Sequence, residues 1–178
     1  MEDTQTVQGE IKKTKPRVPK IGELIAKTKS VILATVDAEG NPNASYAPYA
    51  QIDNRFYILV SFMSKHTKNL KDIRKVSVMF IEDEADTKQI YARDRLTLEV
   101  LCKEIKRETP EWKAGEEKLK EAHGKVLDVL IGLNDFIMIE LTTLKGSYVN
   151  GFGSAYFVNE NLEAIEHRND VAHGATVK

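Results

Sequence analysis

The chain has 178 residues, of which 42% are hydrophobic, and its formal net charge at pH 7 is −1. This length suits one domain with a substantial core, and the balanced charge gives no reason to expect nucleic-acid binding. The single cysteine, Cys102, excludes an intramolecular disulfide, and its apolar neighbours predict a buried, inert thiol in a reducing compartment. Because there is neither a membrane-spanning apolar stretch nor the apolar core of a signal peptide, we expect a cytoplasmic protein without membrane insertion.

The first part of the chain predicts an arm, a helix and a β-meander. Residues 1–19 are polar, contain Pro16 and Pro19, and predict a flexible N-terminal arm. Apolar residues at helical spacing predict a helix over residues 20–29. Strands rich in β-branched and aromatic residues follow, separated by turns at Gly40 and Asp53, over residues 30–36, 43–51 and 56–61.

The second part of the chain adds more strands and a long helix. We expect helices over residues 64–73 and 109–130, the second begun by Thr109 as N-cap and Pro110 as its first residue. Strands are predicted over residues 75–82, 90–105, 135–141 and 147–158. About seven strands, with no helix between most of them, favour a mainly β antiparallel barrel with peripheral helices over a parallel doubly wound sheet. This barrel domain spans residues 20–160 and is followed by a polar tail, 161–178.

The start of the helix over residues 64–73 is a candidate anion site. Ser61, Lys65, His66 and Lys68 cluster there, and a helix N-terminus favours negative charge. A phosphate or a carboxylate would fit, and so would an ordinary solvated turn. The chain contains neither a P-loop nor a dinucleotide-binding fingerprint.

Arg93 and Arg95 are two residues apart in the predicted strand 90–105, so both side chains would leave the same face. Two guanidinium groups on one face can bind paired carboxylates, or they can form cross-strand ion pairs.

Histidines provide the candidate metal ligands. His167 and His173 lie in the tail, while His123 lies in the polar part of the long helix and is expected at the surface. Neutral imidazole is a common axial ligand of haem iron, although tail histidines are often simply solvated. No spacing typical of a structural zinc site or of a hydrolase is present.

Five segments in order resemble the haem-utilisation proteins of the HutZ/HugZ type, within the pyridoxamine 5′-phosphate oxidase-like, FMN-binding split-barrel superfamily. They are NASYAPY (43–49), SKHTKNL (64–70), FIEDE (80–84), ARDRLT (92–97) and GFGSAY (151–156). The resemblance runs from about residue 30 to the C-terminus, which is nearly the whole chain. It implies a homodimer of split barrels with ligands at the subunit interface.

The resemblance also implies roles for individual residues. His173 matches the axial ligand of haem iron, and Asp135 matches the aspartate that contacts this histidine across the dimer. Arg95 matches an arginine near the haem, and His66 a histidine of the pocket region. The implied reaction is the oxygen-dependent opening of haem b, which is both substrate and cofactor, with electrons from an external donor.

Three functions remain open on the sequence: a haem-degrading enzyme, a haem carrier or storage protein, and an FMN-dependent oxidoreductase. In the last case Ser61, Lys65 and Lys68 would hold the FMN phosphate, and in the first two they would hold a haem propionate. His167 is an alternative to His173 as iron ligand.

Overall fold

The computed structural model describes residues 16–168, which form eight strands and four α-helices. The strands are β1 (Ser30–Val36), β2 (Pro42–Ile52), β3 (Arg55–Ser61), β4 (Lys75–Ile81), β5 (Arg95–Ile105), β6 (Phe136–Val149), β7 (Ala155–Val158) and β8 (Ala164–His167). The helices are α1 (Ile21–Lys27), α2 (Lys65–Asp72), α3 (Pro110–His123) and α4 (Val126–Gly132).

Six antiparallel strands close into a barrel in the order β3-β2-β1-β4-β5-β6, with β6 pairing back onto β3. β7 and β8 extend the sheet beyond β6. Every pairing is antiparallel, and helices lie in the connections, α2 between β3 and β4 and the α3–α4 pair between β5 and β6. The predicted antiparallel split barrel with peripheral helices is therefore confirmed.

Two apolar clusters hold the fold together. The larger one fills the barrel and includes a ring contact between Tyr49 and Phe80, with centroids 5.1 Å apart and planes near 87°. The smaller one packs Trp112 and Leu119 of α3 against the outer face of the sheet. Cys102 is buried in the larger cluster, as predicted.

The predicted strand over residues 90–105 begins later than expected. Residues Ile90–Ala92 form a 3₁₀ turn, capped by the Gln89 side chain, which accepts a hydrogen bond from Tyr91 N. The strand starts only at Arg95. The prediction that Arg93 and Arg95 share one strand face is therefore wrong.

Two further element boundaries differ from the predictions. The helix expected over residues 109–130 is divided into α3 and α4 at Gly124, which has a φ of 74° that other residues rarely adopt. The strands expected over 135–141 and 147–158 are instead one long β6 and a short β7, because residues 142–146 also pair with β5. A bulge between Glu99 and Val100 lets two long strands stay paired around the barrel.

Both chain ends of the described region are attached to the sheet. Arg17 and Val18, expected in a flexible arm, form hydrogen bonds to the β6–β7 connection. His167, expected in a tail after the last strand, is the final residue of β8. Within residues 16–168, no helix has the length and apolar character needed to cross a membrane.

Candidate functional site

Ser61 and Asp135 form a polar corner where β3 ends and β6 begins. Ser61 Oγ donates a hydrogen bond of 2.8 Å to Asp135 Oδ2, and it accepts one of 3.1 Å from Met63 N. Phe62 N donates to the Asp135 carbonyl at 2.8 Å. Because these bonds fix the backbone as well as the side chain, the carboxylate of Asp135 has a defined orientation.

Only one oxygen of the Asp135 carboxylate is used in this corner. Among residues 16–168, no donor reaches Oδ1, and no cationic side chain lies within ion-pair distance. The half-buried carboxylate can therefore accept a further hydrogen bond from a group outside these residues, such as an imidazole N–H.

The lysines of α2 differ in their surroundings. Lys65 Nζ lies 3.3 Å from Asp37 Oδ2 in the β1–β2 turn. The hydrogen bond from Asn41 N and the neighbouring Lys65 lower the pKa of Asp37 despite some desolvation. Lys68 is exposed and pairs with no carboxylate of the described residues. Ser64, the residue before the helix, makes no side-chain capping bond.

His66 occupies the first turn of α2 and is half-buried. Burial lowers the pKa of its imidazole, since desolvation disfavours the charged form. At neutral pH this histidine is therefore mainly uncharged and can either donate or accept a hydrogen bond.

A buried polar network that was not predicted from the sequence attaches α2 to the barrel. Asn69 Nδ2 donates to Thr35 Oγ1 at 3.0 Å, and Thr35 Oγ1 donates to the Asn43 carbonyl at 3.3 Å. Asn69 and Thr35 are almost fully buried. The sequence does contain a signal for this network. Asn69 lies inside the predicted helix next to the apolar Leu70, and asparagine is disfavoured in a helix unless its amide is paired.

The two arginines serve different purposes. The Arg93 side chain donates to the Glu82 carbonyl, at 3.0 Å from Nε, and forms an ion pair of 2.9 Å with Glu84. Arg95 has one contact, a long hydrogen bond of 3.4 Å to the Arg93 carbonyl, and no carboxylate partner within residues 16–168. The Arg93 guanidinium is already paired within the β4–β5 connection, whereas the half-buried Arg95 guanidinium is available to bind an anion.

The Ser61–Asp135 corner and Arg95 lie at opposite ends of β6. Ser61 pairs with Phe136 at its start, and Arg95 pairs with Val149 at its end. Residues 136 and 149 are 13 apart, which corresponds to roughly 40 Å of strand. The structure therefore does not bring these predicted site residues together within one chain.

A cavity of about 970 Å³ opens at the Arg95 end of the barrel, lined by residues of α1, β1, β4 and the loop before β5. Arg93 and Asp94 contribute to its wall.

Asp94 in this wall is paired with Tyr148. Burial, with the neighbouring Glu82, raises the pKa of the Asp94 carboxyl, which accepts a hydrogen bond of 3.3 Å from Tyr148 Oη. Burial and Asp94 raise the pKa of Tyr148 to about 12, so this hydroxyl remains protonated.

Two histidines in the second half of the chain, His123 and His167, bond to backbone carbonyls. His167 Nε2 lies 2.9 Å from the Gly153 carbonyl, and His123 Nε2 lies 2.8 Å from the Tyr49 carbonyl. The predicted surface position of His123 is therefore only partly right, because its ring joins α3 to β2. His173 lies outside the described residues. No cluster of three or more acidic, cysteine or histidine side chains that could hold a metal occurs in the described range.

Comparisons with known proteins identify relatives across most of the chain. Heme oxygenase HutZ of Vibrio cholerae serotype O1 is 39% identical over 141 residues, covering 79% of this chain and 80% of that protein. A crystal structure of HutZ from Vibrio cholerae, described as a heme storage protein, matches with a TM-score of 0.66 and 38% identity. That match covers 68% of this chain and 85% of the solved one.

A second solved structure, ChuZ of Campylobacter jejuni, is 28% identical with a TM-score of 0.75. The match covers 83% of this chain and 60% of ChuZ. The family model for pyridoxamine 5′-phosphate oxidase matches residues 18–150, which include all six barrel strands. The chain belongs to the pyridoxamine 5′-phosphate oxidase family.

Proposed function

We propose that this chain binds haem and degrades it oxidatively, releasing iron. The observation that carries the proposal is the Oδ1 of Asp135, which accepts no hydrogen bond from residues 16–168 and is held in place by Ser61, in a chain 39% identical to a protein named heme oxygenase. A carboxylate fixed in this way suits the orientation of a metal-bound imidazole.

His173 is the proposed axial ligand of the haem iron. A hydrogen bond from its second ring nitrogen to Asp135 would fix the tautomer and strengthen the imidazole as a donor to iron. The Ser61 hydroxyl supports this role, because it occupies Oδ2 and leaves Oδ1 for the histidine.

The proposed site is composite and requires two copies of the chain. Asp135 and Arg95 lie at opposite ends of β6, so one ligand can contact both only if each comes from a different subunit. The outer face of the β1–β2 pair supports dimerisation, since adjacent exposed positions are apolar: Ala34, Val36, Ala44, Tyr46 and Pro48.

The donor set around the proposed site fits haem. Arg95 has no carboxylate partner among the described residues and would bind a propionate. Phe62 and Met63 expose apolar side chains beside the Ser61–Asp135 corner, where a porphyrin edge could pack. His66, in the first turn of the helix that follows Ser61, is mainly neutral and would hold or pass a proton. Bound haem would supply the oxygen chemistry, with electrons from an external donor.

The test is an absorption titration of the purified full-length protein with haemin, followed by ascorbate under air. We expect a saturating Soret band at one haem per subunit, then bleaching with iron release, measured with an iron chelator. A protein that binds no haemin would overturn the proposal.

A haem carrier is the second candidate, and the description of one HutZ structure as a heme storage protein favours it. A carrier would give the same Soret band, but the band would persist in ascorbate and air. The ascorbate step therefore separates the enzyme from the carrier.

An FMN-dependent oxidoreductase is the third candidate, and the family match together with the start of α2 favours it. Ser64 leaves the helix start without a side-chain cap, and Lys68 is unpaired within residues 16–168, so a phosphate would find donors there. This function predicts flavin absorbance in the protein as isolated, lost in the double variant Lys65→Ala/Lys68→Ala.

A further inference from the structure

The connection between β6 and β7 is a tight loop at the Arg95 end of the barrel. Asn150 N donates to the Ser154 carbonyl at 3.1 Å, and Ser154 N donates to the Gly151 carbonyl at 3.2 Å. Gly153 adopts a φ of 65°, which glycine tolerates better than other residues. The side chains of Asn150 and Ser154 are almost fully buried and bonded to one another. We refer to residues 150–154 as the glycine loop.

The N-terminal segment before α1 crosses this loop and bonds to it at several points. Arg17 N donates to Ser154 Oγ at 2.9 Å, and Arg17 Nη1 donates to the Asn150 carbonyl at 3.1 Å. Asn150 Nδ2 donates to the Val18 carbonyl at 3.0 Å. Tyr156 Oη, from β7, donates to the Arg17 carbonyl at 2.6 Å. The buried polar groups of the loop are thus satisfied by a segment about 130 residues away in sequence.

The C-terminal strand, β8, also contacts this loop. His167 Nε2 bonds to the Gly153 carbonyl at 2.9 Å, and its ring meets the Tyr156 ring edge-on at 5.2 Å between centroids. In the β7–β8 register, Tyr156 is directly opposite His167. Tyr156 therefore contacts both segments: its hydroxyl holds Arg17 and its ring contacts His167.

We propose that Arg17, Tyr156 and His167 form a clasp that locks the glycine loop, and that His167 is a positioning residue rather than an iron ligand. The clasp has two consequences at the proposed site. It fixes the loop that follows Val149, the partner of Arg95, with the exposed Phe152 at its tip. It also fixes the point from which the chain continues for six residues to His173.

The clasp itself is tested on the protein without haem, by amide hydrogen exchange resolved by residue. His167→Ala and Tyr156→Phe are each expected to speed exchange of the Ser154 and Arg17 amides about fivefold. His167→Gln should restore part of the protection, because its amide can still donate to the Gly153 carbonyl. If His167→Ala alters only its own strand and leaves Ser154 and Arg17 unchanged, the clasp does not exist.

His123→Ala is the matched control, since it removes the same kind of imidazole–carbonyl bond elsewhere in the protein. It should leave the exchange of Ser154 and Arg17 unchanged. Equal acceleration in this variant would mean that a general loss of stability, not the clasp, protects the loop.

The positioning role rests on the proposed haem-binding function and is tested by haemin titration. His167→Ala and Tyr156→Phe should keep the wild-type Soret position and lose about three- to tenfold in affinity, whereas His173→Ala should shift the band. A shifted band in His167→Ala with an unchanged one in His173→Ala would overturn it. If the wild-type protein binds no haemin, the proposed function fails, and the exchange experiment still decides whether the clasp exists.

Discussion

The Ser61 hydroxyl donates a 2.8 Å hydrogen bond to one carboxylate oxygen of Asp135, joining the last residue of β3 to the residue before β6. The two residues are 74 apart in sequence and are brought together by the β3–β6 pairing that closes the barrel. The same pairing that completes the fold therefore orients the carboxylate of the proposed site.

Replacing Asp135 by Asn should weaken both haem binding and haem degradation. With its oxygen bonded to Ser61, the amide presents an N–H group to His173 where the carboxylate presented an acceptor, so we expect haemin affinity to fall about tenfold. The lost charge would weaken the polarisation of His173, and we expect the rate of bleaching in ascorbate to fall about ten- to hundredfold. Asp128→Asn, an exposed aspartate paired with Lys120, is the matched control and should degrade haem at the wild-type rate. A wild-type rate in Asp135→Asn would contradict the role of Asp135.

The two arginines should respond differently to the same substitution. Arg95→Gln is expected to weaken haemin binding about tenfold through loss of a charge-assisted bond, with little change in melting temperature. Arg93→Gln is expected to lower the free energy of unfolding by about 1–2 kcal/mol, because its bonds to Glu82 and Glu84 are lost. Haemin titration and urea denaturation of both variants check this. Equal effects on affinity would argue against Arg95 as the ligand-binding arginine.

Gly146 in β6 should be much less tolerant of alanine than Gly115 in α3. A Cβ at Gly146 would lie 2.5 Å from the Thr97 carbonyl oxygen, a backbone atom that cannot move away easily. At Gly115 it would lie 2.5 Å from Met138 Sδ, in a flexible side chain. We expect Gly146→Ala to cost about 2–4 kcal/mol and Gly115→Ala about 1 kcal/mol, measured by urea denaturation. The reverse order would contradict the close approach of β5 and β6.

Tyr57→Phe should destabilise the protein in a pH-dependent way. Burial favours the protonated form of Glu140, but the bond of 2.7 Å from Tyr57 Oη and the Arg55 charge outweigh it, and the pKa of Glu140 is lowered from 4.5. A carboxyl group whose pKa is lower in the folded state than in the unfolded state stabilises the fold at pH values above its unfolded pKa. This contribution is lost as the pH falls through its folded pKa. We expect a loss of about 1–2 kcal/mol at pH 7 that shrinks below pH 4.5.

Urea denaturation of wild type and Tyr57→Phe at several pH values checks this expectation. Tyr91→Phe, an exposed tyrosine, should show no difference from wild type at any pH. A Tyr57→Phe effect that stays constant from pH 7 to pH 4 would mean that the hydroxyl acts without involving the Glu140 carboxylate.

Cys102 should react with thiol reagents only when the protein unfolds. The side chain is buried, and burial raises the pKa of the thiol to about 12, so the reactive thiolate is scarce at neutral pH. The rate of modification by a chromogenic disulfide reagent should rise at least about a hundredfold in denaturant. Fast modification of the native protein would contradict the burial of β5.

Much of the fold could be predicted from the sequence because its signals are local. The alternation of apolar residues indicates β4, and the Thr109-Pro110 pair indicates the start of α3, where the Thr109 side chain accepts from Trp112 N. Local signals failed where a distant partner decides the structure. Residues 142–146 carry a weak strand pattern, yet they complete β6 because β5 pairs with them.

Sequence motifs named Ser61, Asp135 and Arg95 as candidate site residues, and these assignments stay predictions, but the motifs gave no indication of how the residues are grouped in space. Periodicity alone puts Arg93 and Arg95 on one face, whereas the Glu82 carbonyl draws Arg93 into its own loop and leaves Arg95 to begin the strand. The attachment of Arg17 to the glycine loop had no sequence signal, since it joins segments more than 130 residues apart.

The sequence by itself determined the residue chemistry and, in outline, the strands of the barrel, but neither β8 nor the exact bounds of β5 and β6, because alternation, turn residues and capping residues act over a few neighbouring positions. Only the tertiary structure decided that Ser61 orients Asp135 and that Arg95 lies at the far end of the same strand. The physical reason is barrel closure: the register of β3, β5 and β6 sets these distances, and register depends on packing across the whole sheet.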